Sequence, residues 1–155
     1  NAMMKNSKRA TDDQMADMIT LTLMTYRALN EADPTECARD IQGKDLEDPA
    51  LIPEDLVKQE TELMAEIFAA PREPGPAVAS EREITVWVAS FQKAKPDLAP
   101  GFEWLTVEEP RKEEAQSLCQ AMIGLHEGLR LKPKDWRAKL YRGMIQKNLR
   151  TGAPV

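Results

Sequence analysis

Proline partitions this chain before any periodicity is read. Eleven prolines lie among its 155 residues. A proline either breaks a helix from within or suits its first position. Pro34, Pro53, Pro110 and Pro133 each stand where a helical apolar pattern begins, and Pro96 stands where one stops. Pro71, Pro74 and Pro76, with Gly75 among them, mark a connection without periodicity. The chain must therefore fold from several helices of moderate length, and its length suits one domain.

The segments carry their own start signals. Thr11 with Gln14, and Ser80 with Glu83, have the spacing of capping boxes, in which each side chain satisfies a backbone N–H at a helix start. Asp33 before Pro34 is a good N-cap, and Gly43 fits the position just past a helix end. Apolar residues at helical spacing predict helices over about 11–32, 34–42, 53–70, 80–95, 110–131 and 133–149. Two stretches, 19–23 and 84–88, also alternate or carry strand-forming residues, but their flanks are helical. Phe102, Trp104 and Leu105, set between Pro96, Pro100 and Pro110, predict a packed loop that plugs one end of the bundle. We expect an all-α fold, a single-domain irregular bundle of about six helices over 11–150. Residues 1–10 read as a cleaved-tag scar and an unstructured start, and 151–155 as a frayed tail.

Composition excludes some classes. Hydrophobic residues at 42% and a net charge of −5 do not describe a disordered chain. Eight Met against 5% aromatics predict an aliphatic, Met-filled core. No apolar run is long enough to cross a bilayer, and Asp12, Asp13 and Asp17 interrupt the one region that could resemble a secretory leader. Charge is uneven: residues 128–155 balance at +7, which leaves −12 for the remainder. The last helix is thus basic on an acidic body, an arrangement that disfavours nucleic acid as a ligand.

Cys37 and Cys119 are the only cysteines, and each falls on the apolar stripe of its helix. We expect them to pair, stapling a short helix with a thin apolar face (Cys37, Ala38, Ile41) to a long late one. Pairing would place the chain in an oxidising compartment outside the cytoplasm, whereas a native start at Met3 or Met4 would imply the reducing cytoplasm. Their separation does not suit a redox Cys-x-x-Cys pair or, with a single histidine, a zinc cage.

Catalytic signatures are sparse. His126 lies on an apolar helix face, with Ile123 where a di-iron Glu-x-x-His motif would need Glu. Asp45, Glu47 and Asp48 lack the spacing of a calcium loop. Gly124, Gly128 and Gly143 sit inside helices, where they imply close packing rather than a phosphate loop. Glu62 and Glu66, one turn apart, form an ordinary surface pair. No cofactor is implied. We therefore expect a non-enzymatic helical domain that binds a protein partner, as the soluble part of a larger envelope-associated protein. Lys134, Arg137, Lys139 and Arg142 on the basic helix are the expected contact residues. The alternative is a small enzyme with an acid–base site around His126 and a carboxylate from another helix.

Overall fold

The computed structural model describes residues 9–69 and 76–150. These form helices α1 (Asp12–Ala32), α2 (Pro34–Ile41), α3 (Glu54–Ala69), α4 (Glu81–Ala94), α5 (Lys112–Arg130) and α6 (Lys134–Arg150), with 3-10 segments at Pro49–Leu51 and Ala99–Thr106. No strand occurs among the described residues, so the chain is an all-α bundle. Residues 1–8, 70–75 and 151–155, where the tag scar, the connection and the frayed tail are expected, lie outside the described residues, whereas Ala10, expected in the unstructured start, is fully buried and accepts from Arg142.

Local sequence signals and structure agree closely at the helix starts. Thr11 Oγ1 accepts from Gln14 N at 3.1 Å while Gln14 Oε1 accepts from Thr11 N at 3.0 Å. Ser80 and Glu83 repeat the exchange at the head of α4. Such reciprocal caps satisfy donors that a helix start otherwise leaves open. Asp33 ends α1 and caps α2 with a 2.9 Å bond from Thr35 N. Gly43 then leaves α2 with φ +72°, which glycine adopts without a Cβ penalty. Both strand-like stretches are helical, 19–23 within α1 and 84–88 within α4.

α1 is the hub and packs against α2, α3, α5 and α6. Its buried residues run from Met15 to Leu29 and include Leu21 and Leu23, so it faces neighbours on more than one side. α5 is the second central helix, with Ala115, Leu118, Cys119, Leu125 and Leu129 buried. The segment Ala99–Thr106 lies along α5. It coils as 3-10 turns rather than as an irregular loop, and Phe102, Trp104 and Leu105 pack half-buried on the core. Gly101 makes this possible, because a Cβ there would collide with the Ser117 carbonyl and lie 2.8 Å from the Ala121 Cβ. Gln42 Nε2 pins the same segment by donating to Val107 O at 2.7 Å and Trp104 O at 3.2 Å.

Helical spacing places Met24, Val57, Phe68 and Trp136 on inward faces, yet all four are exposed. Val57 and Phe68 are exposed because α3 packs chiefly on α1 and buries only the narrow stripe Leu56, Leu63 and Ile67. Trp136 is 38% exposed. It sits in the first turn of α6, past the end of α5, where only α4 remains beside it.

Candidate functional site

The cysteines come together as expected in space. Cys37 on α2 and Cys119 on α5 are fully buried, and their sulfurs lie at disulfide distance with Cα atoms 5.9 Å apart. That separation is the usual one for a bonded pair. With both sulfurs committed to each other and closed to solvent, neither offers a nucleophile or a metal ligand. Among the described residues, no three His, Cys, Asp or Glu side chains converge as a metal site would require.

His126 is 1% exposed. Its Nδ1 lies 2.7 Å from Met122 O, and its Nε2 lies 3.2 Å from the Tyr141 hydroxyl. A carbonyl can only accept, so Nδ1 carries the proton and Nε2 accepts from Tyr141 in the neutral ring. The Tyr141 oxygen and Thr22 Oγ1, 3.2 Å apart, share the next hydrogen bond. Tyr26 meets the imidazole edge-on at 5.3 Å. No carboxylate hydrogen-bonds the ring. Burial drives the His126 pKa down to about 4, against a smaller upward pull from the Met122 carbonyl. Burial also lifts Tyr141 to about 12. The ring is neutral, fully engaged and walled off from solvent.

Asp40 has the opposite sign. Burial first, and the neighbouring Glu60 second, push its carboxyl up to about 6. The fold therefore favours neutral His126 and neutral Asp40. Stability from His126 is complete above its ordinary value of 6.5 and is lost as pH falls towards 4, at a cost of about 3 kcal/mol. The Asp40 penalty is complete above 6 and is relieved as pH falls towards 3.8; partial exposure limits that relief to about 1–2 kcal/mol. Between pH 6.5 and 4 the two oppose each other. His126→Phe should therefore make the protein gain stability on acidification relative to the parent, by about 3 kcal/mol across the window. Urea midpoints at several pH values read this directly, and parallel curves for parent and variant would refute the assignment.

The basic helix is largely spent on the body of the protein. Lys134 Nζ lies 2.5 Å from Asp13, and Lys139 Nζ lies 2.8 Å from Glu83. Arg137 donates to the carbonyls of Arg130 and Lys132, closing the end of α5. Arg142, expected on a contact face, is corrected to a core residue at 1% exposure. Its guanidinium donates to Ala10 O at 2.8 and 3.0 Å, to Ala77 O at 3.0 Å and to Asp12 Oδ1 at 2.6 Å. The reason is steric as well as electrostatic. Gly143 beside it lets the 77–79 strand of chain lie against α6, so close that an added Cβ would sit 2.7 Å from Ala79 O. That approach puts backbone acceptors within reach of the inward-turned guanidinium.

A different feature emerges on the surface. α4 leans on α6 and buries only Ile84 and Trp87. Between α4, the end of α5 and the start of α6 lies an open groove of about 610 Å³. Its floor includes Trp87, Phe91 and Gly128, and its walls are Val86, Leu131 and Trp136. Trp87 meets Trp136 edge-to-face at 6.2 Å and stacks obliquely on Phe91 at 6.1 Å. Lys132 places its ammonium 5.6 Å from the Trp136 ring centre. Leu131 is 87% exposed and Val86 59%. Sequence periodicity missed this groove. It assigned Trp136 to the core and gave Val86 no role, although Leu131 before the Lys132-Pro133 break was an available hint.

Comparison of the chain with protein-family models, curated proteins and solved structures finds no match.

Proposed function

We propose that this is a non-enzymatic helical domain that holds a protein partner in the groove between α4 and α6. The observation that supports it is the gathering of three exposed large apolar side chains, Val86, Leu131 and Trp136, around one concave aromatic floor. Exposed apolar surface of this kind costs solubility unless something covers it. Aromatic anchors beside a polar rim are also the usual make-up of a binding hot spot. Of the expected contact residues, Lys139 lines this groove but already holds Glu83, while Lys134 is held by Asp13 and does not line it. Lys139 contributes to the rim rather than the anchor. The acid–base alternative finds little support in His126, whose ring touches no carboxylate and lines no opening to solvent.

The Cys37–Cys119 pair favours an oxidising compartment, and we place the domain there as the soluble part of a larger envelope-associated protein. Among the described residues, no helix is long and apolar enough to cross a membrane.

Photo-cross-linking in the cell of origin tests the groove. A benzoylphenylalanine at position 131 or 136 should trap one discrete protein, and the same probe at Glu47 or Lys95 should not. Equal trapping from both sets of positions would remove the groove from consideration.

A further inference from the structure

Charge around the groove says what kind of segment it takes. Between 130 and 139 the chain carries Arg130, Lys132, Lys134, Arg137 and Lys139 against a single acid, Asp135. Two of these cations are neutralised by carboxylates from elsewhere, Lys134 by Asp13 and Lys139 by Glu83. Arg137 Nη1 donates to the carbonyls of Arg130, the last residue of α5, and of Lys132 just beyond it, where its charge offsets the negative end of that helix dipole. Arg130 and Lys132 have no carboxylate partner among the described residues, and Lys132 is held at the groove by the Trp136 ring. Of the charged residues that line the groove, Glu83 and Lys139 pair with each other, so Lys132 leaves it a net positive charge, with Arg130 one residue before the lining Leu131, on a protein whose total is −5.

Resting on the reading of the groove as a protein-binding site, we infer that its occupant is an acidic amphipathic helix of a partner protein. Apolar side chains one turn apart on that helix enter between Val86, Trp136 and Leu131, and carboxylates on its flank meet Lys132 and Arg130. A groove of this volume accommodates a few such side chains and no more. Extended polyanions fit poorly, because the acidic remainder of the molecule repels any charge that runs past the mouth. A bilayer surface fits poorly too, because Trp87 and Phe91 lie on the floor of a concavity and not on a ridge.

The test uses the intact oxidised protein and three synthetic helices of about 20 residues, above the length at which isolated helices are marginal. All three carry the same leucine stripe. Their flanks are glutamate, glutamine or lysine. Calorimetry at low salt should show the glutamate peptide binding about tenfold more tightly than the glutamine one, with the gap closing as salt rises. The double variant Arg130→Glu with Lys132→Glu, whose two sites are exposed, should invert the order in favour of the lysine peptide. Its folding is checked by circular dichroism. Equal binding of the glutamate and glutamine peptides would overturn the acidic partner while leaving the groove in place. Binding that survives Leu131→Ser with Trp136→Ser would show that the peptide sits elsewhere and would overturn the inference together with the groove. Binding to phosphatidylglycerol vesicles with none to any peptide would replace the protein partner with a membrane.

Discussion

Reduction of the Cys37–Cys119 bond should lower the unfolding free energy by about 4–5 kcal/mol, because the bond closes a loop spanning 82 residues of sequence. Single domains hold only about 5–15 kcal/mol in total, so the reduced protein should sit near the edge of folding. The loss should begin at α2. Its eight residues bury Cys37, Ala38 and Ile41 as apolar contacts, and too little else anchors a helix of that length. Release of α2 also frees Gln42 from the carbonyls of Trp104 and Val107, loosening the 3-10 segment behind it. The double variant Cys37→Ala, Cys119→Ala should match the reduced parent in guanidinium midpoint. Mass measurement of the unreduced protein should show two hydrogens fewer than the thiol form. Two thiols that alkylate freely after unfolding without reductant would show that no bond exists.

Replacing Arg142 should also be costly. A buried guanidinium is expensive to desolvate, and it is tolerated here because its donors reach three separate acceptors. Arg142→Met removes those donors and leaves Ala10 O without the two bonds it receives from the guanidinium. The expected destabilisation is about 2–4 kcal/mol, from the charge-assisted bonds that the carbonyls lose, since Asp12 keeps partial contact with water. Arg142→Lys should recover little, because an ammonium cannot reproduce the fork that engages Ala10 O and Asp12 together. Asp12→Asn should be much milder, since Asp12 is half-exposed and its bond is one of several. Thermal denaturation of the three variants gives the order directly. A near-neutral Arg142→Met would mean that the clamp is not closed in solution. The same geometry warns against reading Arg142 variants as binding mutants, because any lost binding would report lost structure.

These two effects mark the boundary of what the sequence discloses. The helix starts were legible because their signals are local: Thr11 with Gln14, Ser80 with Glu83 and Asp33 with Pro34 all act within one turn. The cysteine pairing was legible because each residue lay on a stripe that had to face inward, and only two such residues exist. Arg142 was not legible. Its partners include the carbonyls of Ala10 and Ala77, which carry no side-chain signature and lie far away in sequence. By composition it looked like one more cation on a basic helix. On the same helix, Lys134 bridges to Asp13 on α1 and Lys139 to Glu83 on α4. The groove was hidden for a related reason. Trp136 stands four residues before Leu140, so periodicity assigns both to the core, and only the place where α5 ends shows that the core stops short of Trp136. Electrostatics at His126 likewise depends on Tyr141 and Thr22 meeting it from other helices.

The clamp at Arg142 also sets an order in time. A ribosome adds about 5–20 residues per second. Cys37 therefore waits roughly 4–16 s for Cys119 to be made, since the two stand 82 positions apart. Even then the start of α1 has no lock, because the guanidinium that holds Ala10 and Asp12 belongs to the last helix. Although α1 is synthesised well before α6, its start is thus among the last parts of the bundle to be secured. Until α6 arrives, the hub of the bundle is a helix with an open flank, and the nascent chain depends on whatever shields that flank from other chains.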